Sequence, residues 1–332
     1  MASFDLFAHT HLLVVAGSRA YGLNRPDSDV DLRGVAVPPA AFLHGFLRRF
    51  EQEDDPEALG VFRSVLTQVE AGAAPEKVEG SVYDLIKFIR LASDANPNML
   101  DVLFGRDEEV RVQTAVGRRL REERGRFLSK RVAKTYAGYA RGQLKRIQGH
   151  RAWLVNPPSH EPTRAEYGLP EHALLPRDQL VAAENAAAKG VVAFDPSVVA
   201  VLQRERKYHS ARRQWDQYQT WKKHRNPGRA KLEVDHGYDT KHAMHLVRLL
   251  RMGLEILQTG QVHVWRGAID RQELLEIRSG AWEFDQLIEW ADRQSEALRS
   301  AQGTSSLPDE ADKDGLDALC IQLVEEALGQ TR

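Results

Sequence analysis

The chain has 332 residues, 42% of them apolar and 28% charged, and its 46 Lys and Arg nearly cancel its 47 Asp and Glu to leave a net charge of −1. That composition excludes collagen-like, disordered and disulfide-scaffold classes and predicts a globular protein of two domains or one large one. The neutral total, taken alone, argues against a dedicated nucleic-acid binder, which carries a clear basic excess.

Residues 12–16 (Leu-Leu-Val-Val-Ala) read as a buried strand stopped by Gly17. A polar turn from Ser18 to Ser28 follows, then Asp29–Val37, which alternates polar and apolar residues as a half-buried strand does. Residues 40–50 are predicted helical and Glu51–Glu57 a solvated acidic loop. A third strand is expected at Lys77–Tyr83, leading into a helix from Asp84 to about Ala95 that Asn96-Pro97-Asn98 breaks, with another short helix starting at Met99–Phe104. Beyond residue 106 the pattern is helical: 127–147, 178–189, 196–223, 240–258, 271–277 and 283–301. A Pro-rich connection falls at 153–175, and a flexible loop at 302–313 precedes a last helix. No internal repeat or low-complexity tract interrupts this order. The fold class is therefore α+β, a small mixed sheet with flanking helices (residues 1–123) followed by an all-helical domain (124–332).

Charge is spread unevenly. Residues 124–160 hold nine Lys or Arg and no acid, and residues 204–231 hold ten against Glu205 and Asp216. Interleaved aromatics (Tyr136, Tyr139, Tyr208, Trp215, Tyr218, Trp221) make a phosphate-rich partner a better reading than solvated helix surface. The single cysteine, Cys320, cannot form an internal disulfide and fits a reducing compartment. The first residues lack a basic-then-apolar leader and no 18-residue apolar run exists, so a cytoplasmic protein without membrane contact is expected.

The chemistry concentrates in Gly17-Ser18 and Asp29-Val30-Asp31. On a strand Asp29 and Asp31 project together while Val30 and Leu32 face the core. Two close carboxylates repel unless a cation separates them, and Mg²⁺ or Mn²⁺ favours such oxygen ligands while keeping positions for substrate phosphates. Gly17 and Ser18 offer backbone N–H groups, a hydroxyl and, at the glycine, room for a phosphate to approach. No Walker-type Gly-Lys loop is present, which disfavours a P-loop NTPase.

Ser28-Asp29-Val-Asp31-Leu-Arg33-Gly-Val35, after strand and Gly-Ser, resembles the signature of the DNA polymerase β-like nucleotidyltransferase superfamily. Four further stretches resemble one bacterial and phage subfamily, the RNA-ligase-associated predicted nucleotidyltransferases (the YcgL-like group). They are Gly17-Ser-Arg-Ala-Tyr-Gly22, Asn96-Pro-Asn-Met-Leu-Asp-Val-Leu103, Arg225-Asn-Pro-Gly-Arg229 and the segment Gly237–Leu250. The resemblance implies transfer of a nucleoside monophosphate from an NTP to an acceptor hydroxyl, with two Mg²⁺ or Mn²⁺ ions. It implies that Gly17 and Ser18, with Arg19 and Arg33, hold the nucleotide and that Asp29 and Asp31 bind metal. A third carboxylate is implied on a later strand: Glu79 is chosen, although Gly80 interrupts that strand, and Asp84 is the alternative, with helix capping as its other explanation.

In the 240–258 helix, Leu246, Leu250, Leu254 and Leu257 gather on one face and Lys241, His245 and Arg248 on the opposite one. That basic stripe is either solvated or in contact with substrate phosphates. Zinc binding by His236, His242 and His245 is the less favoured reading. Arg225 and Arg229 flank a loop that could grip phosphate. The favoured acceptor is an RNA end, in RNA repair alongside an RNA ligase. Nucleotidylation of a protein hydroxyl and a non-catalytic RNA- or nucleotide-binding module are the alternatives.

Overall fold

The computed structural model describes residues 4–25, 28–66, 78–172, 195–225 and 227–330, with isolated positions between 179 and 186. The helix expected at 178–189 falls largely outside the described residues. In chain order the elements are β1 (Thr10–Ala16), α1 (Gly17–Ala20), β2 (Val30–Ala36), α2 (Ala40–Leu43), β3 (Gln52–Glu53), α3 (Pro56–Leu59) and β4 (Val78–Asp84). Next come α4 (Leu85–Ser93), α5 (Pro97–Phe104), β5 (Val110–Gln113), α6 (Ala115–Glu122) and α7 (Val132–Val155). The rest is helical: α8 (Pro196–His224), α9 (Pro227–His236), α10 (Thr240–Thr259), α11 (Arg271–Arg278), α12 (Phe284–Thr304) and α13 (Lys313–Gln330).

Among the described residues the strands form a five-stranded mixed sheet in the order β3-β4-β2-β1-β5. β2 pairs antiparallel with β1 and parallel with β4, so the chain crosses over between β2 and β4. Leu13, Val15, Val30, Leu32, Val78 and Val82 alternate onto one face and pack with Leu6, Leu59 and Phe62. The opposite face carries Leu12, Val14 and Ala16 from β1, with Asp31 and Arg33 beside them on β2. Helix α6 lies close against this face, since a Cβ at Gly117 would meet the His11 carbonyl oxygen at 2.1 Å.

Several expectations are corrected. The helix at 40–50 is only Ala40–Leu43. The acidic loop 51–57 contains β3, with Glu53 buried, and the start of α3, capped by Asp55. The short β5 at Val110–Gln113 adds an edge strand in a region expected to be helical. The long helix begins at Val132, after a 3-10 turn at Arg124–Phe127, and runs to Val155. The stretch 302–313 is pinned rather than loose: Lys130, Arg126 and Arg131 pair with Asp309, Asp312 and Glu310 at 2.9, 2.6 and 3.4 Å. Part of the basic excess at 124–160 is thus balanced inside the protein.

Internal packing divides the chain into two compact units, residues 1–147 with 240–332, and residues 148–239. In the first, α10 packs on α11 and α12, and α13 packs on α4 and α6. In the second, α8 carries an ion pair between Arg164 and Glu205. No helix of the described residues is long and apolar enough to cross a membrane.

Candidate active site

The turn after β1 is shaped by a glycine. Gly17 adopts φ +62°, and a Cβ there would lie 2.0 Å from Asp31 Oδ2 and 2.9 Å from its Cγ. Residue 17 must therefore lack a side chain for the β1 terminus and the Asp31 carboxylate to sit together. Ala16 and Asp31 are cross-strand partners, which fixes this approach by register. Arg19 closes the following turn, donating to the carbonyls of Ser28 (2.9 Å) and Asp29 (3.3 Å). Its guanidinium thus holds the segment that carries Asp29.

Asp29 lies immediately before β2 and is exposed; Asp31, one step into the strand, is half-buried. On the parallel neighbour β4, Glu79 is the register partner of Asp31. Adjacent strands lie about 4.8 Å apart, so the two residues sit side by side on one face. Gly80 is no defect of this strand. With φ +153°, its backbone comes so close to β2 that a Cβ would fall 1.9 Å from the Leu32 carbonyl oxygen. Asp84 lies elsewhere: it pairs with Ala36 at the far end of β2 and caps α4, accepting from the Lys87 N–H at 3.2 Å. As placed, the carboxylate oxygens of Asp29, Asp31 and Glu79 do not all come within 4.8 Å of one another.

Burial is the largest influence on Asp31 and raises its pKa. Arg33 and Lys241 oppose that rise, and Asp29 adds to it. An acid held in this way gains from a cation, and the donor set is all oxygen, which fits Mg²⁺ or Mn²⁺. Asp84 is pushed up to about 6, again chiefly by burial.

Helix α10 brings the stripe of Lys241, His245 and Arg248, and the structure separates their roles. Lys241 is half-buried and near enough to influence Asp31 electrostatically. His245 has its pKa lowered well below the usual value by burial, then by Arg248 and Lys241, so it is neutral at pH 7 and adds no charge. Arg248 is only 5% exposed. Its guanidinium lies 3.6 Å from the Tyr21 ring centroid and 4.0 Å from Asp101. Tyr21 in turn donates to Asp101 at 2.5 Å. The stripe is therefore not a solvated basic face: α10 is buried nearly all round, and Arg248 supports the Gly17–Gly22 turn from beneath.

Three further supports carry no advance sign in the sequence. Arg271 and Arg278 donate to the carbonyls of Gly22 (2.6 Å) and Leu23 (2.8 Å). Arg266, fully buried, binds Glu255 through two 2.7 Å contacts and Asp270 at 2.8 Å while its N–H meets the Tyr21 carbonyl. These are lone arginines far along the chain, with no motif spacing to mark them.

The other expected residues are placed differently. His242 bonds Gln143 at 2.7 Å. Arg225 is committed to Glu233 at 2.6 Å and to the Ala230 carbonyl, with its guanidinium 4.6 Å from the Trp221 ring. The Arg229 side chain lies outside the described residues. Both belong to the second unit, whereas Gly17, Asp29, Asp31, Glu79, Lys241 and His245 share the first.

Residues 8–154 match the family described as the RNA repair pathway DNA polymerase beta family. The matched stretch contains the whole sheet and both halves of the Gly17–Asp31 constellation. An uncharacterized 38.9 kDa protein from the nrdC-mobD intergenic region of Enterobacteria phage T4 is 28% identical over 140 residues. The match covers 41% of this chain and 38% of the phage protein, so it spans less than half of either. No solved structure matches the chain. The motifs at 225–229 and 237–250 lie beyond the family match.

Proposed function

We propose that the protein, whose residues 8–154 match the RNA repair pathway DNA polymerase beta family, transfers a nucleoside monophosphate from an NTP to the hydroxyl of an RNA end. The observation that carries this reading is the meeting of Gly17, Asp31 and Glu79. A glycine at a strand terminus touches one carboxylate, and a second carboxylate stands in register beside it on the parallel neighbour.

Asp29, Asp31 and Glu79 would hold two Mg²⁺ or Mn²⁺ ions, which when bound lower the pKa of an attacking hydroxyl and compensate phosphate charge. The chain's own contribution is positioning. The backbone of Gly17 and Ser18 faces the triphosphate, and Arg33 and Lys241 supply fixed positive charge beside Asp31. Arg19 sets the segment bearing Asp29. Arg248 acts through Tyr21 and Asp101, keeping the Gly17–Gly22 turn in place rather than touching substrate.

Incubation with each α-labelled NTP, a divalent ion and RNAs of defined ends tests the acceptor. Label in the RNA supports the proposal. Label in the protein and none in RNA decides for nucleotidylation of a protein hydroxyl. Metal-independent RNA binding without release of pyrophosphate decides for a non-catalytic module.

A further inference from the structure

The second unit holds a feature that this reading leaves unused. Helix α8 runs 29 residues yet buries only Leu202 and Glu205. A helix of a globular protein normally buries an apolar stripe along its length. From Tyr208 to Trp221 this one reads Tyr-His-Ser-Ala-Arg-Arg-Gln-Trp-Asp-Gln-Tyr-Gln-Thr-Trp, without an aliphatic side chain larger than alanine.

Its rings cluster. Trp215, Tyr218 and Trp221 follow one another with centroids 6.1 and 5.9 Å apart. Trp153, near the end of α7, joins them at 6.0 Å from Tyr218 and 5.5 Å from Trp221. All four rings are half-buried and keep surface open to solvent. Large aromatics gathered at a surface are unusual in a protein with no use for them.

The exposed charge that directly follows the rings on α8 is basic, while the acids Glu233 and Asp239 lie beside His150, which packs on Trp153 and Trp221. Lys222 falls four residues after Tyr218 and seven after Trp215, on the same side of the helix, and Lys223 adjoins it; both are exposed. The two acids of the 204–231 stretch are already matched, Glu205 by Arg164 and Asp216 by Arg212 at 3.4 Å. Flat π-surfaces beside exposed lysines suit unpaired bases joined by phosphates.

We propose that this face of the second unit binds single-stranded RNA, stacking bases on Trp153, Trp215, Tyr218 and Trp221 while Lys222 and Lys223 contact backbone phosphates. The choice of RNA rests on the repair reading above; the stacking surface does not.

The test uses the full chain with a 5′-fluorescein 12-mer of oligouridylate, followed by anisotropy and by tryptophan quenching. Binding is expected, weakened about tenfold or more by Trp221→Ala and largely restored by Trp221→Phe. Lys222→Gln with Lys223→Gln, exposed changes that leave the fold alone, should lower the slope of log Kd against log salt by about 1.4. Absence of binding at low salt overturns the proposal, as does binding that neither the ring nor the lysine variants alter. Equal affinity for the deoxy 12-mer overturns the assignment to RNA. Preference for a 12-base-pair duplex or for anionic vesicles, or dimerisation sensitive to Trp221→Ala in place of oligonucleotide binding, overturns the stacking surface. Asp31→Asn should bind the 12-mer as the wild type does, so that loss of nucleotidyl transfer and loss of RNA binding are read separately.

Discussion

Substituting Gly17 by alanine strains two things at once, and a double-mutant cycle separates them. The residue's φ of +62° costs a side chain about 1–2 kcal/mol by itself. The new Cβ also lands 2.0 Å from Asp31 Oδ2, which must swing away. Forcing that side chain from its rotamer adds about 0.5–1.5 kcal/mol, for a total of about 1.5–3.5 kcal/mol. In an Asp31→Ala background the nearest remaining atom is the Asp31 Cβ position at 3.2 Å, and only the backbone cost persists. Urea unfolding of the four proteins should therefore give a coupling energy of about 1 kcal/mol. Gly17→Ala should also lose nucleotidyl transfer as fully as Asp31→Asn, because the displaced carboxylate no longer holds its place. Zero coupling, or a Gly17→Ala protein with wild-type turnover beside an inactive Asp31→Asn, would refute the reasoning.

Three further outcomes follow from the same geometry. Asp84→Asn keeps the cap on α4 but removes a carboxyl whose pKa rises to about 6 in the folded protein. Because that pKa is raised, the wild type loses relative stability as pH climbs from about 4 to 6 and then levels off. The variant's advantage in urea should grow by up to about 3 kcal/mol over that window, and a pH-independent difference would contradict it. Arg248→Met leaves Asp101 buried without its cation and should cost about 3–5 kcal/mol by denaturant midpoint; a neutral result would mean the Tyr21–Asp101–Arg248 group bears no load. Gly80→Ala drives a Cβ into the Leu32 carbonyl and should disrupt β2–β4 pairing, seen as lost amide protection in both strands, whereas intact protection would show that the register tolerates a side chain there.

The strands that carry the chemistry were legible because they are long and alternate. Val30 and Leu32 face the core while Asp31 and Arg33 face away, as the pattern of 29–37 requires. The strands that were not legible are short. β3 has two residues and β5 four, too few for a period of two to declare itself against the acidic and basic residues around them. Gly80 read as an interruption because a local pattern cannot show that a neighbouring backbone occupies the place of its Cβ. Arg248 read as one of three cations, solvated or facing substrate phosphates, because helical spacing gives a direction from the axis, not what stands there: Tyr21 and Asp101 come from distant parts of the chain. Part of one charge run was hidden in the same way. Arg126, Lys130 and Arg131 looked like a phosphate-binding surface, and their partners at 309–312 lie some 180 residues on.

The central claim is that Asp29, Asp31 and Glu79 together carry metal-dependent transfer. Pyrophosphate release from NTP in the presence of RNA and Mg²⁺ or Mn²⁺, measured for the wild type and for Asp29→Asn, Asp31→Asn and Glu79→Gln, tests it most directly. The account predicts release by the wild type alone, with every variant folded and unchanged in its far-UV spectrum. Release that survives Asp31→Asn, or that proceeds in chelator, would contradict it.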